Sequence, residues 1–170
     1  MRKTKILKVC LAGVFATLAT LTFMLENLFP PIILPGARMG LSHVFILLSV
    51  LLLGPWHGFC VLLIKTLVGS LFSGNLSAIM YSIPSGLISL AIEIILIYYA
   101  KKTSLLSISV FGAVLNIIIQ TAIFCLVTNT LEFLVFIPYL TIISAVSGLL
   151  VGFILYLIMK KLPEKYLTGV

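Results

Sequence analysis

The chain contains no aspartate and only four glutamates, and charged residues make up 9% of its 170 residues. A soluble domain carries about 25% charged residues, so a water-soluble globule is excluded. Without aspartate, the chain can build neither paired acidic clusters that hold magnesium on a diphosphate nor a Ser/His/Asp set. It also lacks a Walker A sequence, so hydrolysis of ATP by this chain is not expected. An enzyme acting alone is therefore not predicted.

Cysteine and histidine are also scarce, and their spacing forms no recognisable site. Cys10, Cys60 and Cys125 have no CxxC pairing and no histidine at ligand spacing, so we interpret them as small apolar residues in helices. His43 and His57 flank the second apolar segment and are too isolated to predict a metal site. We expect neither a metal nor a cofactor.

What the chain has in abundance is apolar sequence, because hydrophobic residues make up 62% of it. The apolar segments are long enough to cross a bilayer, which predicts an integral membrane protein with a single transmembrane domain over residues 1–170. Cytoplasmic loops collect positive charge, so the formal charge of +7 is explained by membrane orientation rather than by nucleic acid. Nine of the eleven Lys and Arg residues fall in three clusters: Arg2/Lys3/Lys5/Lys8, Lys101/Lys102 and Lys160/Lys161/Lys165.

The predicted fold is an all-α bundle of six transmembrane helices with both termini in the cytoplasm. Gly54-Pro55 divides the stretch 41–72 into two helices, because Gly often follows a helix and Pro often opens one. This division keeps all three basic clusters on one side of the membrane. Glu26-Asn27 is expected to end the first helix, and the Pro- and Gly-rich segment 28–40 is expected to be a loop packed over the protein. The predicted helices span residues 6–25, 41–53, 56–72, 76–99, 105–127 and 133–159.

Stripes of small residues indicate where helices pack closely, since contact in lipid depends on small side chains that let backbones approach. The simpler interpretation of each stripe is packing within the chain. The stripes are Ala12, Ala16 and Ala19 on the first helix, Ser82/Gly86 with Ser85/Ser89 on the fourth, and Ser144/Gly148/Gly152 on the sixth.

Polar side chains at depth in the membrane predict a ligand site. Lys65 lies near the middle of the third helix, and Asn116 and Gln120 share a face of the fifth, one turn apart. Both helices run outward, so the three side chains should lie at similar depth. With Arg38 of the outer loop they would line a pocket open to the outside.

Each of these residues also has a structural interpretation. Lys65 would snorkel along its helix, and Asn116 and Gln120 would bond neighbouring helices. Arg38 would pair with Glu26 and pin the loop. If the ligand interpretation holds, the two cations against only Glu26 and Glu132 indicate an anionic ligand, a carboxylate or phosphate. Glu93, near the basic pair at 101–102, is interpreted as structural rather than as a proton relay.

Two stretches carry a resemblance to a known family: ENLFPPIILPGARMGLSHVF and LLGPWHGFCVLLIKTLVGSLFSGNLSA. The chain resembles the bacterial heptaprenyl diphosphate synthase component I, also called the Gx transporter family, over nearly its whole length. His43 is a departure, since the family pattern has Asn there. The family name suggests a subunit of an isoprenoid-making enzyme, but the paired acidic clusters of such enzymes are missing from this sequence.

That family is in turn similar to the substrate-binding S components of energy-coupling factor (ECF) transporters, which are six-helix bundles. In those proteins an AxxxA motif on the first helix docks a transmembrane coupling protein that two cytoplasmic ATPases drive. The resemblance assigns this docking role to Ala12, Ala16 and Ala19. It also implies an outer ligand site capped by loops, which adds Ser73, Asn75, Asn129 and Glu132 to Arg38 as binding candidates.

Three functions follow from the sequence. The first is an S component in the bacterial plasma membrane that captures a small, anionic or isoprenoid/quinone-related precursor for ATP-driven uptake. The second is a non-catalytic membrane anchor of a soluble prenyl diphosphate synthase. The third, a stand-alone secondary transporter, is weakened by the absence of an inverted repeat.

Overall fold

The computed structural model describes residues 2–28, 40–74, 76–99 and 103–161, and these residues form a bundle of α-helices. Five of its helices are long and apolar enough to cross a membrane. The helices are α1 (Arg2–Leu28), α2 (His43–Leu53), α3 (Pro55–Phe72), α4 (Ser77–Tyr99), α5 (Leu105–Thr128) and α6 (Ile137–Lys161), and a 3₁₀ helix (Leu131–Phe136) precedes α6. The prediction of a helical membrane bundle is confirmed at this level.

The second helix is the short one, as the Gly54-Pro55 division predicts. It has 11 residues, which at 1.5 Å per residue is roughly 16 Å, about half the hydrocarbon core of a bilayer. Gly54 adopts φ +107°, a conformation open to glycine, and its N–H donates to the carbonyl of Val50 at 3.0 Å. Pro55 is the first residue of α3, where its missing N–H costs nothing. Two separate helices are therefore confirmed here.

Two helix boundaries differ from the prediction. α1 does not end at Glu26-Asn27 but continues to Leu28. Glu26 lies within the helix and has a partner inside the protein, because its Oε1 accepts a hydrogen bond from the backbone N–H of Ser42 at 3.0 Å. α6 begins at Ile137 rather than Phe133, which puts Pro138 in its first turn, and 3₁₀ turns occupy the preceding six residues. The predicted packing of the loop falls largely on residues 29–39, which lie outside the described ranges.

α5 and α6 share the most extensive helix contact. Glycine makes this possible: a Cβ added at Gly148 would lie 2.8 Å from the Cα of Val110, and one added at Gly152 would lie 2.8 Å from the Cα of Leu106. Real Cβ atoms essentially never come so close, so any larger residue would push the two backbones apart. The stripe predicted from Ser144/Gly148/Gly152 thus packs inside the chain.

The alanine stripe of α1 also faces the interior. Ala16 and Ala19 are buried in a core shared with α2 and α3, and Ala12 is half-buried against it. By contrast, a Cβ added at Gly13 would have no atom within 4 Å. The structure therefore favours intramolecular packing for Ala16 and Ala19, the simpler of the two interpretations of this stripe.

Candidate functional site

A cavity lies among the six helices, and each of them contributes to its wall. The space between its walls measures about 710 Å³, including the part open to the surroundings. Polar and small residues dominate the lining, whereas most of the chain is apolar. The lining residues are Phe23, Glu26, Gly40, Ser42, His43, Lys65, Ser82, Ser109, Gly112, Ala113, Asn116, Ile117, Gln120, Ser144, Ser147, Gly148 and Val151.

Three polar residues that the sequence places at similar depth meet in this cavity. Lys65 of α3 lines it together with Asn116 and Gln120 of α5. Asn116 and Gln120 are one turn apart, so both amides face the same space. Their common location agrees with the pocket expected from sequence, while their role in binding stays a prediction.

Lys65 has an aromatic neighbour on α1. Its Nζ lies 5.4 Å from the centroid of the Phe23 ring, close enough for a cation–π attraction. The ring packs directly on Gly69, one turn beyond Lys65, in a space that a Cβ at Gly69 would occupy. The absent side chain of Gly69 therefore lets Phe23 reach α3 and hold the lysine against the cavity wall.

Glu26 is the carboxylate of the described lining. One oxygen, Oε1, accepts the Ser42 N–H, whereas the other, Oε2, is buried and has no hydrogen-bond partner. Two interpretations from the sequence involve this residue: it would pair with Arg38, or it would form part of the charge balance near the ligand. Arg38 lies outside the described residues, so its pairing and its binding role both stay predictions.

A buried pair joins α2 to α4 beside the cavity. His43 Nε2 and Glu93 Oε2 lie 2.8 Å apart, and the Glu93 side chain has no solvent exposure. Glu93 thus joins two helices, and its partner among the described residues is His43. The basic pair at 101–102 lies outside the described residues. Gly112 of α5 packs directly against the Glu93 carboxyl, where any side chain would collide with it. We call His43, Glu93 and Gly112 the paired side of the cavity.

Several buried polar atoms of the described lining have no hydrogen-bond partner in the protein. A buried polar atom without a partner costs about 1–3 kcal/mol, so such atoms are normally satisfied by protein, water or ligand. In the described lining, the buried atoms that have no protein partner are Glu26 Oε2, Ser42 Oγ, Ser109 Oγ and Asn116 Oδ1. We call Glu26 and Asn116 the open side.

Among the loop residues that the resemblance implicates, the described ones, Ser73, Asn129 and Glu132, do not line the cavity. The hydroxyl of Ser73 donates to the carbonyl of Gly69 and closes α3. Asn129 is an exposed residue with φ +54° that ends α5, and Glu132 is exposed on the 3₁₀ helix. Asn75 lies outside the described residues.

Sequence reasoning missed several lining residues. His43 was set aside because no ligating residue is near it in the sequence, yet Glu93, fifty positions away, contacts it. Ser82 and Ser144 were interpreted as packing positions only. Their signal was present, because serine rather than alanine at an internal helix face brings a hydroxyl that needs a partner.

The fold and the cavity define a helical membrane protein with an internal polar site. The model of the family called heptaprenyl diphosphate synthase component I matches residues 15–158. The chain belongs to that family, as the resemblance predicted. No curated protein and no solved structure matches the chain.

Proposed function

We propose that this chain is the substrate-binding component of an ECF-type importer and that the cavity holds its small ligand. The cavity carries the proposal, because polar side chains from all six helices converge on one space in a chain that is otherwise apolar. Polar and ionisable groups inside membrane segments are costly and by default indicate function.

The proposed topology has six crossings with both termini in the cytoplasm of a bacterium. The second crossing, α2, has only 11 residues, so it would have to lie where the bilayer is thinned or where the protein covers it. The three basic clusters support it, since cytoplasmic segments collect Lys and Arg. In this orientation Glu26, Lys65 and Gln120 lie in the outer halves of α1, α3 and α5. The cavity would then receive a ligand from outside the cell.

Uptake would require a transmembrane coupling protein and two cytoplasmic ATPases, because no Walker A sequence is present. The resemblance assigns docking to the alanine stripe of α1, but the chain's own core already covers Ala16 and Ala19. Docking in the described conformation would therefore use the exposed neighbouring face around Gly13. A toppling motion that releases ligand inward would belong to the assembled importer.

The first test is co-purification. The tagged chain is expressed in its host, solubilised in a mild detergent, and its partners are identified by mass spectrometry. We expect a coupling membrane protein with two ATPases.

Gly13→Leu should remove these partners, since it adds bulk on an exposed face without touching the core. Cys60→Leu is the matched control, because Cys60 is a small exposed residue on α3. Absence of any ATPase from the wild-type preparation would contradict the proposal.

The family description favours a second candidate, a non-catalytic membrane subunit that anchors a prenyl diphosphate synthase. In the described residues no three His, Cys, Asp or Glu side chains come together as a metal site, so catalysis would fall to the soluble partner. Recovery of a prenyl synthase without ATPases in the same experiment would support this candidate. The cytoplasmic surface, and not the cavity, should then be sensitive to mutation.

A further inference from the structure

The unpartnered atoms of the cavity wall are mostly hydrogen-bond acceptors. Glu26 Oε2 is a carboxylate oxygen, and Asn116 Oδ1 is an amide oxygen. Behind the wall, Glu93 Oε1 also has no partner. The serine hydroxyls at 42 and 109 accept as readily as they donate. A ligand group that reaches these buried acceptors would therefore have to donate hydrogen bonds to them.

The charge of the described wall leads to the same requirement. Glu26 and Lys65 both line the cavity and have charges of opposite sign, and His43 is hydrogen-bonded to Glu93. These four residues carry two carboxylates against one lysine and one histidine, so they offer no surplus of positive charge to a diphosphate or other multiply charged anion. The expectation of an anionic ligand rested on Arg38 and Lys65 as cations, and it did not include Glu93 among the opposing carboxylates.

An aromatic ring adds a third feature beside the carboxylate. Phe23 and Glu26 are three residues apart on α1, which puts them on the same face, and both line the cavity. Aromatic faces attract cations, most strongly where water is excluded. The ring already faces one ammonium, that of Lys65, so this corner of the cavity is suited to positive charge next to a carboxylate.

We infer that the cavity selects a small ligand that carries a protonated amino group, with Glu26 Oε2 and Asn116 Oδ1 accepting its N–H donors. An acidic group on the same molecule would face Lys65, so amino-acid-like zwitterions belong to the class and purely acidic compounds do not. This inference rests on the proposed ligand-binding function of the cavity and names the ligand class for it. A buried carboxylate oxygen without a hydrogen-bond partner, such as Glu26 Oε2, is costly, and an ammonium partner would offset that cost.

The test uses two fractions of yeast extract as probes. A cation exchanger at acidic pH retains compounds with protonated amines, and the flow-through contains acids and neutral compounds. Each fraction is added to the purified full-length chain in phosphate buffer, which is free of amines, and the thermal unfolding midpoint is recorded. We expect the retained fraction to raise the midpoint and the flow-through to leave it unchanged. Acetylating the retained fraction removes the amine charge and should abolish the effect.

Two variants test whether the rise in the unfolding midpoint depends on the carboxylate of Glu26. Glu26→Gln keeps the shape of the side chain but loses its charge, so about ten times more of the retained fraction should be needed for half the shift. Glu132→Gln is the matched control, because Glu132 is exposed and does not line the described cavity, and it should behave as the wild type.

Each contrary outcome points to a different error. Stabilisation by the flow-through alone would overturn the inferred ligand class and leave ligand binding intact. Stabilisation by neither fraction would overturn the inference, and water would then be the partner of the open acceptors. Stabilisation by the retained fraction without co-purifying ATPases would keep the inference and remove the importer function.

Discussion

The two sides of the cavity differ in what surrounds their polar groups. On the paired side, Glu93 Oε2 contacts His43 of another helix, and the carboxyl packs against Gly112 with its Oε1 enclosed and without a hydrogen-bond partner. On the open side, Glu26 and Asn116 each present an acceptor atom that no protein group satisfies. We therefore expect the paired side to maintain the fold and the open side to bind the proposed ligand.

The largest effect should come from breaking the pair. His43→Ala leaves the fully buried Glu93 carboxyl without its partner, and removing one partner of a buried ion pair costs about 3–5 kcal/mol. Reversible unfolding in detergent should show a fall of that size in the free energy of unfolding. His57→Ala is the control, since His57 is half-buried in the first turn of α3 and should change stability by less than about 0.5 kcal/mol. Equal effects for the two variants would mean that the pair does not support the fold.

A smaller loss should follow from filling the space behind Glu93. A methyl group at Gly112 would collide with the Glu93 carboxyl, and overpacking of this kind costs about 1–3 kcal/mol. Gly13→Ala is matched in chemistry but adds its methyl in open space, so it should be neutral or stabilising by up to about 1 kcal/mol.

A double-mutant cycle identifies the cause. In a Glu93→Ala background, Gly112→Ala should cost clearly less than it does in the wild type, because the colliding group is gone. An unchanged cost would place the strain at another neighbour of Gly112.

The smallest effect on stability is expected on the open side. Asn116→Ala removes a buried acceptor that has no protein partner, so the free energy of unfolding should not fall by more than about 0.5 kcal/mol. The stabilisation by the amine-containing fraction should nevertheless be lost. Asn129→Gly serves as control, since Asn129 is exposed at a positive φ that glycine readily adopts. A large loss of stability in Asn116→Ala would make Asn116 a structural residue and weaken the contrast between the two sides.

The sequence anticipated those site features that depend on one helix at a time. Asn116 and Gln120 share a face because four residues make about one turn. Lys65 lies near the middle of α3 because that helix begins at Pro55. The partner of Glu93 was not predictable in this way, because His43 belongs to another helix and the rotation of each helix about its axis has no local signature. The same reason applies to Ala16 and Ala19: a small-residue stripe suits both an internal and an external contact.

The sequence by itself determined the class of protein, the positions of its helices to within a few residues, and the division at Gly54-Pro55. These follow from composition and from backbone geometry, which act over a few neighbouring residues. Only the tertiary structure decided which polar groups meet. It paired His43 with Glu93 and left acceptors open at Glu26 and Asn116, because such contacts depend on how six helices rotate and pack against one another.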